Sequence, residues 1–145
     1  MNQRVLLGPI AALTLLTTPA LAQSDLFEFG GHFGGVVAEP DDRWHGGVQV
    51  ALGLNQRFDF YTGVTVRSTA TTQTLVALRA WPFGRREQRF AAWYLGAGIT
   101  ADGGVEGAFL TGVQTGSGRM RPFIEAQLLS PAELDVRVGF SIRVR

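Results

Sequence analysis

The stretch Leu134 to Arg145, LDVRVGFSIRVR, leaves little freedom in how it can fold. Its even positions are Leu134, Val136, Val138, Phe140, Ile142 and Val144; its odd positions are Asp135, Arg137, Gly139, Ser141, Arg143 and Arg145. Six apolar residues alternate with six small or charged ones. A period of two places one set on each face of a β-strand, and no helix can gather those apolar residues on one side. Val and Ile also favour the extended chain. What the alternation leaves open is whether the apolar face meets lipid or fills a soluble core.

Similar segments precede it, each about 10 to 13 residues long and bounded by turn signals. They run from Leu26 to Ala38, Trp44 to Leu54, Arg57 to Ser68, Thr71 to Trp81, Phe90 to Ala101, Val105 to Thr115 and Met120 to Leu129, so the last strand is the eighth. Glu39-Pro40-Asp41-Asp42, Asn55-Gln56, the polar run from Pro82 to Arg89, Asp102-Gly103-Gly104, Ser117-Gly118 and Ser130-Pro131 separate them. Pro40, Pro82 and Pro131 fall in turns and Pro122 near a strand start, so none removes a ladder hydrogen bond from a strand interior. Leu75 and Leu110 interrupt the polar faces of the fourth and sixth segments.

Residues 1–22 read as a cleaved secretory signal peptide. Arg4 gives a basic start, Val5 to Leu16 is mostly apolar, and Ala20-Leu21-Ala22 is a small-x-small cleavage site. The apolar run is shorter than the ~20 residues a spanning helix needs. The barrel domain is then residues 23–145. Of the 13 basic residues all are Arg, and removing Arg4 leaves 12 against 12 acids. That neutrality argues against nucleic acid as a partner, which calls for a basic patch. There is no Cys, so neither a disulfide nor a thiolate metal site can form. An exported chain with no later helical span is periplasmic, secreted, or embedded in an outer membrane as a barrel.

An even number of short antiparallel strands closes most simply as an up-and-down barrel, and each segment matches the ~9–11 residues that cross a bilayer. The polar faces decide the orientation. They are rich in glycine (Gly30, Gly34, Gly47, Gly53, Gly63, Gly96, Gly98, Gly112 and Gly139), interspersed with long charged side chains. Glycine weakens a strand and has no use on a solvent-facing surface, whereas a narrow packed lumen needs small residues beside large ones. The apolar faces carry aromatics near strand ends: Phe27, Phe58, Phe60, Trp81, Phe90 and Trp93 at one rim, Trp44 at the other. These resemble interfacial girdles. The expected fold is all-β, an eight-stranded antiparallel up-and-down transmembrane β-barrel. The alternative is a soluble periplasmic, lipocalin-like barrel binding an apolar ligand, in which Val136, Val138 and Ile142 line a cavity and Arg137 and Arg143 face water.

A signal peptide followed by eight alternating strands resembles the small OmpA/OmpX-type outer-membrane β-barrel proteins of Gram-negative bacteria. The resemblance covers the whole mature chain and is one of architecture. It implies a monomer in the cell outer membrane, with outer-membrane lipid as its surroundings and a structural or membrane-integrity role, porin-like at most in a minor way. Family members usually end in an aromatic residue, whereas this chain ends Val144-Arg145, with Phe140 the nearest aromatic.

The inward acids are Glu28, Asp59, Glu106, Glu125 and Asp135; the inward bases are Arg57, Arg67, Arg79, Arg121, Arg137 and Arg143. Unpaired charges there would be costly, so pairing is expected. Glu28, Asp59, Arg79, Glu125, Arg137 and Arg143 form the candidate lumen charge network. Glu125 and Arg137 lie equally far from the Ser130-Pro131-Ala132 turn and should be cross-strand neighbours, and Glu28 can meet Arg143 where the first and last strands close the barrel. Such pairs either seal the lumen or gate small solutes. Some small outer-membrane barrels are lipid A deacylases or acyltransferases with a His, a Ser and an acid together. Here His32 and His45 are followed two positions on by Gly34 and Gly47, and Ser68, Ser130 and Ser141 have no evident partner. No enzyme activity and no cofactor is expected. The two histidines, separated in sequence, are read as lumen hydrogen-bonders and not as a metal site.

Overall fold

In a computed structural model, which describes residues 27–37, 44–84, 90–115, 118–129 and 133–144, the chain forms eight strands. They are β1 (Phe27–Val37), β2 (His45–Gly53), β3 (Phe58–Arg67), β4 (Thr72–Ala80), β5 (Ala91–Ala101), β6 (Val105–Thr115), β7 (Met120–Leu129) and β8 (Glu133–Val144). Each strand pairs antiparallel with its sequence neighbour, and β1 pairs with β8, so the sheet closes on itself. Closure leaves no strand edge unpaired, which is how an antiparallel sheet crosses lipid without exposing backbone donors. The strand limits agree with the alternating segments to within a residue or two. The signal peptide of residues 1–22 and the turns at Glu39-Pro40-Asp41-Asp42 and Ser130-Pro131 lie outside the described residues.

The orientation of the faces is settled by burial. Val136 is 37 % and Val138 50 % exposed, while Arg137 between them is 1 % exposed. Phe29, Phe33, Val48, Phe109, Ile124, Leu128 and Phe140 likewise stand on the outside. Glu28, Asp59, Arg79, Arg121, Glu125, Gln127 and Asp135 are buried within. The apolar side chains point away from the axis, as a lipid-facing wall requires, and the cavity-lining arrangement of a lipocalin-like barrel is not what these strands adopt.

The two strand termini, Phe27 and Val144, are paired at one rim, here called the terminal rim. The connections after β1, β3, β5 and β7 lie at the opposite, far rim. Phe58, Phe90 and Trp93 stand outward toward the terminal rim. At the far rim Trp44 stacks on Phe33 with ring centroids 6.3 Å apart.

Several expectations are corrected. Trp81 does not belong to the outer girdle: it is fully buried, because it continues the inward parity of Gln73, Leu75, Ala77 and Arg79. Leu75 and Leu110 are not flaws in the pattern. Both point inward and join Tyr61, Ala77, Trp81 and Tyr94 in one apolar cluster, so the lumen has an oily side as well as a charged one. Arg57 and Glu106 keep inward parity but are exposed, Arg57 preceding β3 and Glu106 lying one residue into β6. Glu106 is paired with Thr100 of β5 but lies beyond the last β6–β7 pair at Ala108, so the ring is not closed around it.

Val138→Arg tests the lipid-facing assignment. Near the bilayer midplane an outward Arg is expected to cost about 2–4 kcal/mol, whereas on a water-exposed wall a substitution would stay within about 0.5 kcal/mol. Urea unfolding in lipid vesicles would read the difference, and a cost in the second range would remove the barrel from the membrane.

Candidate functional site

Inward glycines shape the lumen by standing opposite its largest side chains. Gly112 pairs with Tyr94, Gly139 with Phe123, Gly47 with His32 and Gly34 with His45. A Cβ placed on any of the four would collide with the facing ring. Each glycine therefore acts as a saddle: the ring lies over it, and where the ring is Tyr or His its polar end can reach the strand beyond. The Tyr94 hydroxyl on β5 crosses Gly112 of β6 and donates to Glu125 Oε2 on β7 at 2.7 Å. His32 Nε2 on β1 crosses Gly47 of β2 and meets Thr65 Oγ1 on β3 at 3.0 Å. His45 on β2 lies over Gly34 of β1, and its Nε2 donates to Asp135 Oδ1 on β8 at 2.5 Å.

Asp59 anchors a cluster near the terminal rim. Arg79 donates to it twice, from Nε at 2.8 Å and Nη2 at 3.1 Å, and Trp81 Nε1 donates at 2.8 Å. The Arg79 guanidinium also lies 4.3 Å from the Tyr61 ring centroid, 4.8 Å from Tyr94 and 5.5 Å from Trp81. An Arg removed from water is thus compensated by a two-pronged carboxylate contact and by the negative faces of three rings. Lys could not make that fork.

Glu28 gathers donors from three other strands. Arg121 Nη1 reaches its Oε1 at 2.6 Å, and Arg143 Nε lies at 3.4 Å from the same oxygen. Gln114 Nε2 and Ser141 Oγ donate to Oε2 at 3.2 and 3.0 Å. Glu28 on β1 thereby ties together β6, β7 and β8 around the seam where the barrel closes.

Toward the far rim, Asp135 accepts from His45 and from Arg137 Nε at 2.7 Å. At that rim Arg67 Nη2 and Glu133 Oε1 are 2.5 Å apart, linking β3 to β8 across the two intervening strands. Glu125 accepts from Gln127 Nε2 at 2.6 Å as well as from Tyr94.

The six residues expected to form the network all reach the lumen, with Arg143 partly exposed at the rim. Glu28 stands opposite Arg143, and Glu125 opposite Arg137, in register. Hydrogen bonding follows register at the first pair and departs from it at the second. Arg137 turns to Asp135 two residues earlier on its own strand, and Glu125 is held by Tyr94 and Gln127. Asp135 and Arg137 stand two apart on one strand and share its inward face, while strand tilt brings Tyr94 level with Glu125 two strands away. Alternation had placed Arg121 inward, but its bond to Glu28 on a non-neighbouring strand leaves no trace in the sequence. Tyr94 and Trp81 were missed as polar partners; their inward parity was the available signal. The histidines, far apart in sequence, are brought together with ring centroids 6.0 Å apart. Among the described residues no group of three His, Cys, Asp or Glu is placed to hold a metal ion.

With this geometry in view, two solved structures are similar in fold. One is a de novo designed transmembrane β-barrel, with a TM-score of 0.68 at 12 % identity, covering 81 % of this chain and 94 % of that one. The other is the N-terminal β-barrel domain of Pseudomonas aeruginosa OprF, with a TM-score of 0.61 at 10 % identity, covering 81 % of this chain and 96 % of that one. No protein-family model and no curated protein sequence matches the chain. The architecture is that of an eight-stranded transmembrane barrel.

Two substitutions probe the lumen. Asp59→Leu strands the buried Arg79 and is expected to cost about 3–5 kcal/mol, while the double change Asp59→Leu with Arg79→Met costs far less. A double-mutant cycle from urea midpoints checks this; additive losses would show that the two are not coupled. Gly112→Ala places a methyl group against the Tyr94 hydroxyl and the Ile124 carbonyl. It is expected to lose at least the Tyr94–Glu125 bond, about 1.5–3 kcal/mol for a bond to a charged group, and Tyr94→Phe in the Gly112→Ala background should then add little.

Proposed function

We propose that this chain is a small integral outer-membrane β-barrel protein whose role is structural, contributing to membrane integrity, with a lumen sealed by its own side chains. The observation that carries the reading is the pairing of an apolar outer wall with a filled, charge-balanced interior. Among the described residues, Glu28, Asp59, Glu125 and Asp135 stand with Arg79, Arg121, Arg137 and Arg143, four carboxylates and four guanidinium groups. Side chains buried near both ends support a closed lumen: Trp81, Ala92, Gln114 and Arg121 toward the terminal rim, and His45, Gln73, Thr100 and Leu129 toward the far rim.

A conducting pore needs a continuous wet path and sites weak enough to release an ion. Here Arg79 is locked between Asp59 and three aromatic rings, and Leu75, Leu110, Tyr61 and Tyr94 fill the space beside it. That packing favours a closed cylinder over the minor pore. The likeness to the OprF barrel domain supports an outer-membrane setting by analogy of fold. A non-enzymatic role is consistent with the lumen histidines, which bond Thr65 and Asp135 with no serine among the partners the structure gives them. The barrel is proposed to act as a monomer surrounded by outer-membrane lipid.

Fractionation of cells with and without detergent, followed by planar-bilayer recording, tests the proposal. The protein should leave the membrane only with detergent, migrate differently on gels before and after boiling, and give no stable conductance steps. Wild-type protein soluble without detergent would refute the membrane assignment. Steady steps abolished by Arg137→Ala would replace the sealed lumen with a gated pore.

A further inference from the structure

Toward the far rim the lumen holds a set of buried polar atoms that the protein does not satisfy. Arg137 is 1 % exposed; its Nε is taken by Asp135, and both Nη1 and Nη2 lack a hydrogen-bond partner among the described residues. The same is true of His32 Nδ1, His45 Nδ1 and Gln127 Oε1. These atoms belong to one neighbourhood. Gln127 is opposite Asp135 in register, and Glu125 is opposite Arg137. Gly34 lies between Arg137 and His45, with the His45 ring leaning over it. The His32 ring stands edge-on to His45.

Each such atom, left dry, forfeits its hydration with nothing in return, and a charged group forfeits the most. Together they would forfeit much of a small domain's stability. Their chemistry says what satisfies them. Arg137 presents donors only, Gln127 Oε1 is an acceptor only, and an imidazole Nδ1 donates or accepts according to whether it carries a proton. A halide or other small anion could meet the guanidinium but not Gln127. It would also add a negative charge to a lumen already balanced by four acids and four Arg. Water serves donors and acceptors alike.

We infer that the far half of the lumen is an internal hydration site, in which ordered water bridges the Arg137 guanidinium to Gln127 and to the Nδ1 atoms of His32 and His45. Buried water occurs at about one molecule per 27 residues, or roughly four for a barrel of this size. The water joins two clusters that make no direct bond, Asp135 with His45 and Arg137 on one side, Glu125 with Tyr94 and Gln127 on the other. Leu75, Leu110 and Ala108 offer it nothing to bond, whereas Gln73 Oε1 on β4, also buried without a partner among the described residues, extends the same demand for water across the lumen. The site depends on the lumen packing and not on membrane placement, so it is present equally in detergent.

Crystals of the full barrel in detergent, grown with sodium bromide as the only added salt, test the inference. The expected result is solvent density without anomalous signal, within hydrogen-bond distance of both Arg137 Nη atoms and of Gln127 Oε1. An anomalous bromide peak on the guanidinium would overturn it in favour of an anion site. Absence of any peak, with the Arg137 guanidinium bonded directly to Glu125, would overturn it in favour of a dry ion pair. Gln127→Met in the same crystals should lose the peak beside residue 127 and keep those on Arg137; retention of every peak would show that no bridge to Gln127 exists. If that variant does not fold, water-to-histidine cross-relaxation in NMR spectra of the wild-type barrel in micelles gives the same reading. Long-lived water contacts to the His45 and His32 ring protons support the site, and their absence counts against it.

Discussion

Closing an eight-stranded sheet on itself creates an interior only wide enough for side chains. Everything else in this molecule follows from that confinement. Half of every strand points into the narrow space, and in this chain many of those positions carry full charges. A charge cannot be left alone where water is scarce, so each carboxylate is met by at least two donors: Asp59 by Arg79 and Trp81, Glu28 by Arg121, Arg143, Gln114 and Ser141, Glu125 by Tyr94 and Gln127, and Asp135 by His45 and Arg137.

The space for those partners comes from glycine. Where Tyr94, Phe123, His32 and His45 project inward, the facing residue is Gly112, Gly139, Gly47 or Gly34. Three of those rings use the gap to bond the strand beyond. The backbone ladder joins neighbours, and these side-chain ties join strands two apart, so the two sets of bonds brace the cylinder in different directions. Glycine's cost to an isolated strand is offset by the bulky neighbour it admits.

The lumen is also divided in character. On the β3, β4, β5 and β6 side the apolar residues Tyr61, Leu75, Tyr94 and Leu110 gather, while the β7, β8, β1 and β2 side carries most of the charge. The Asp59–Arg79 pair is the charge embedded in the oily side, with the Arg79 guanidinium against aromatic faces and its nitrogens on Asp59. A purely polar lumen would admit water along its length. The oily residues interrupt that path, so buried charge and apolar packing share one interior.

Strand number, strand limits and the direction of each face were legible in the sequence, because side-chain direction in a strand depends on parity alone and a closed antiparallel sheet keeps that parity all the way round. The inward placement of Glu28, Asp59, Arg79, Glu125, Arg137 and Arg143 was legible for the same reason. At Trp81 aromatic character points to the outer girdle and parity points inward, and parity decides. The identity of each charge's partner was not legible. That depends on strand tilt, on which glycine lets a side chain pass, and on rotamers chosen once all eight strands are present, as when Arg137 turns to Asp135 and away from the Glu125 that faces it. The sequence by itself determined which side chains would share the interior; only the closed tertiary structure decided which of them would touch, since lumen contacts join residues from strands that the linear pattern treats as unrelated.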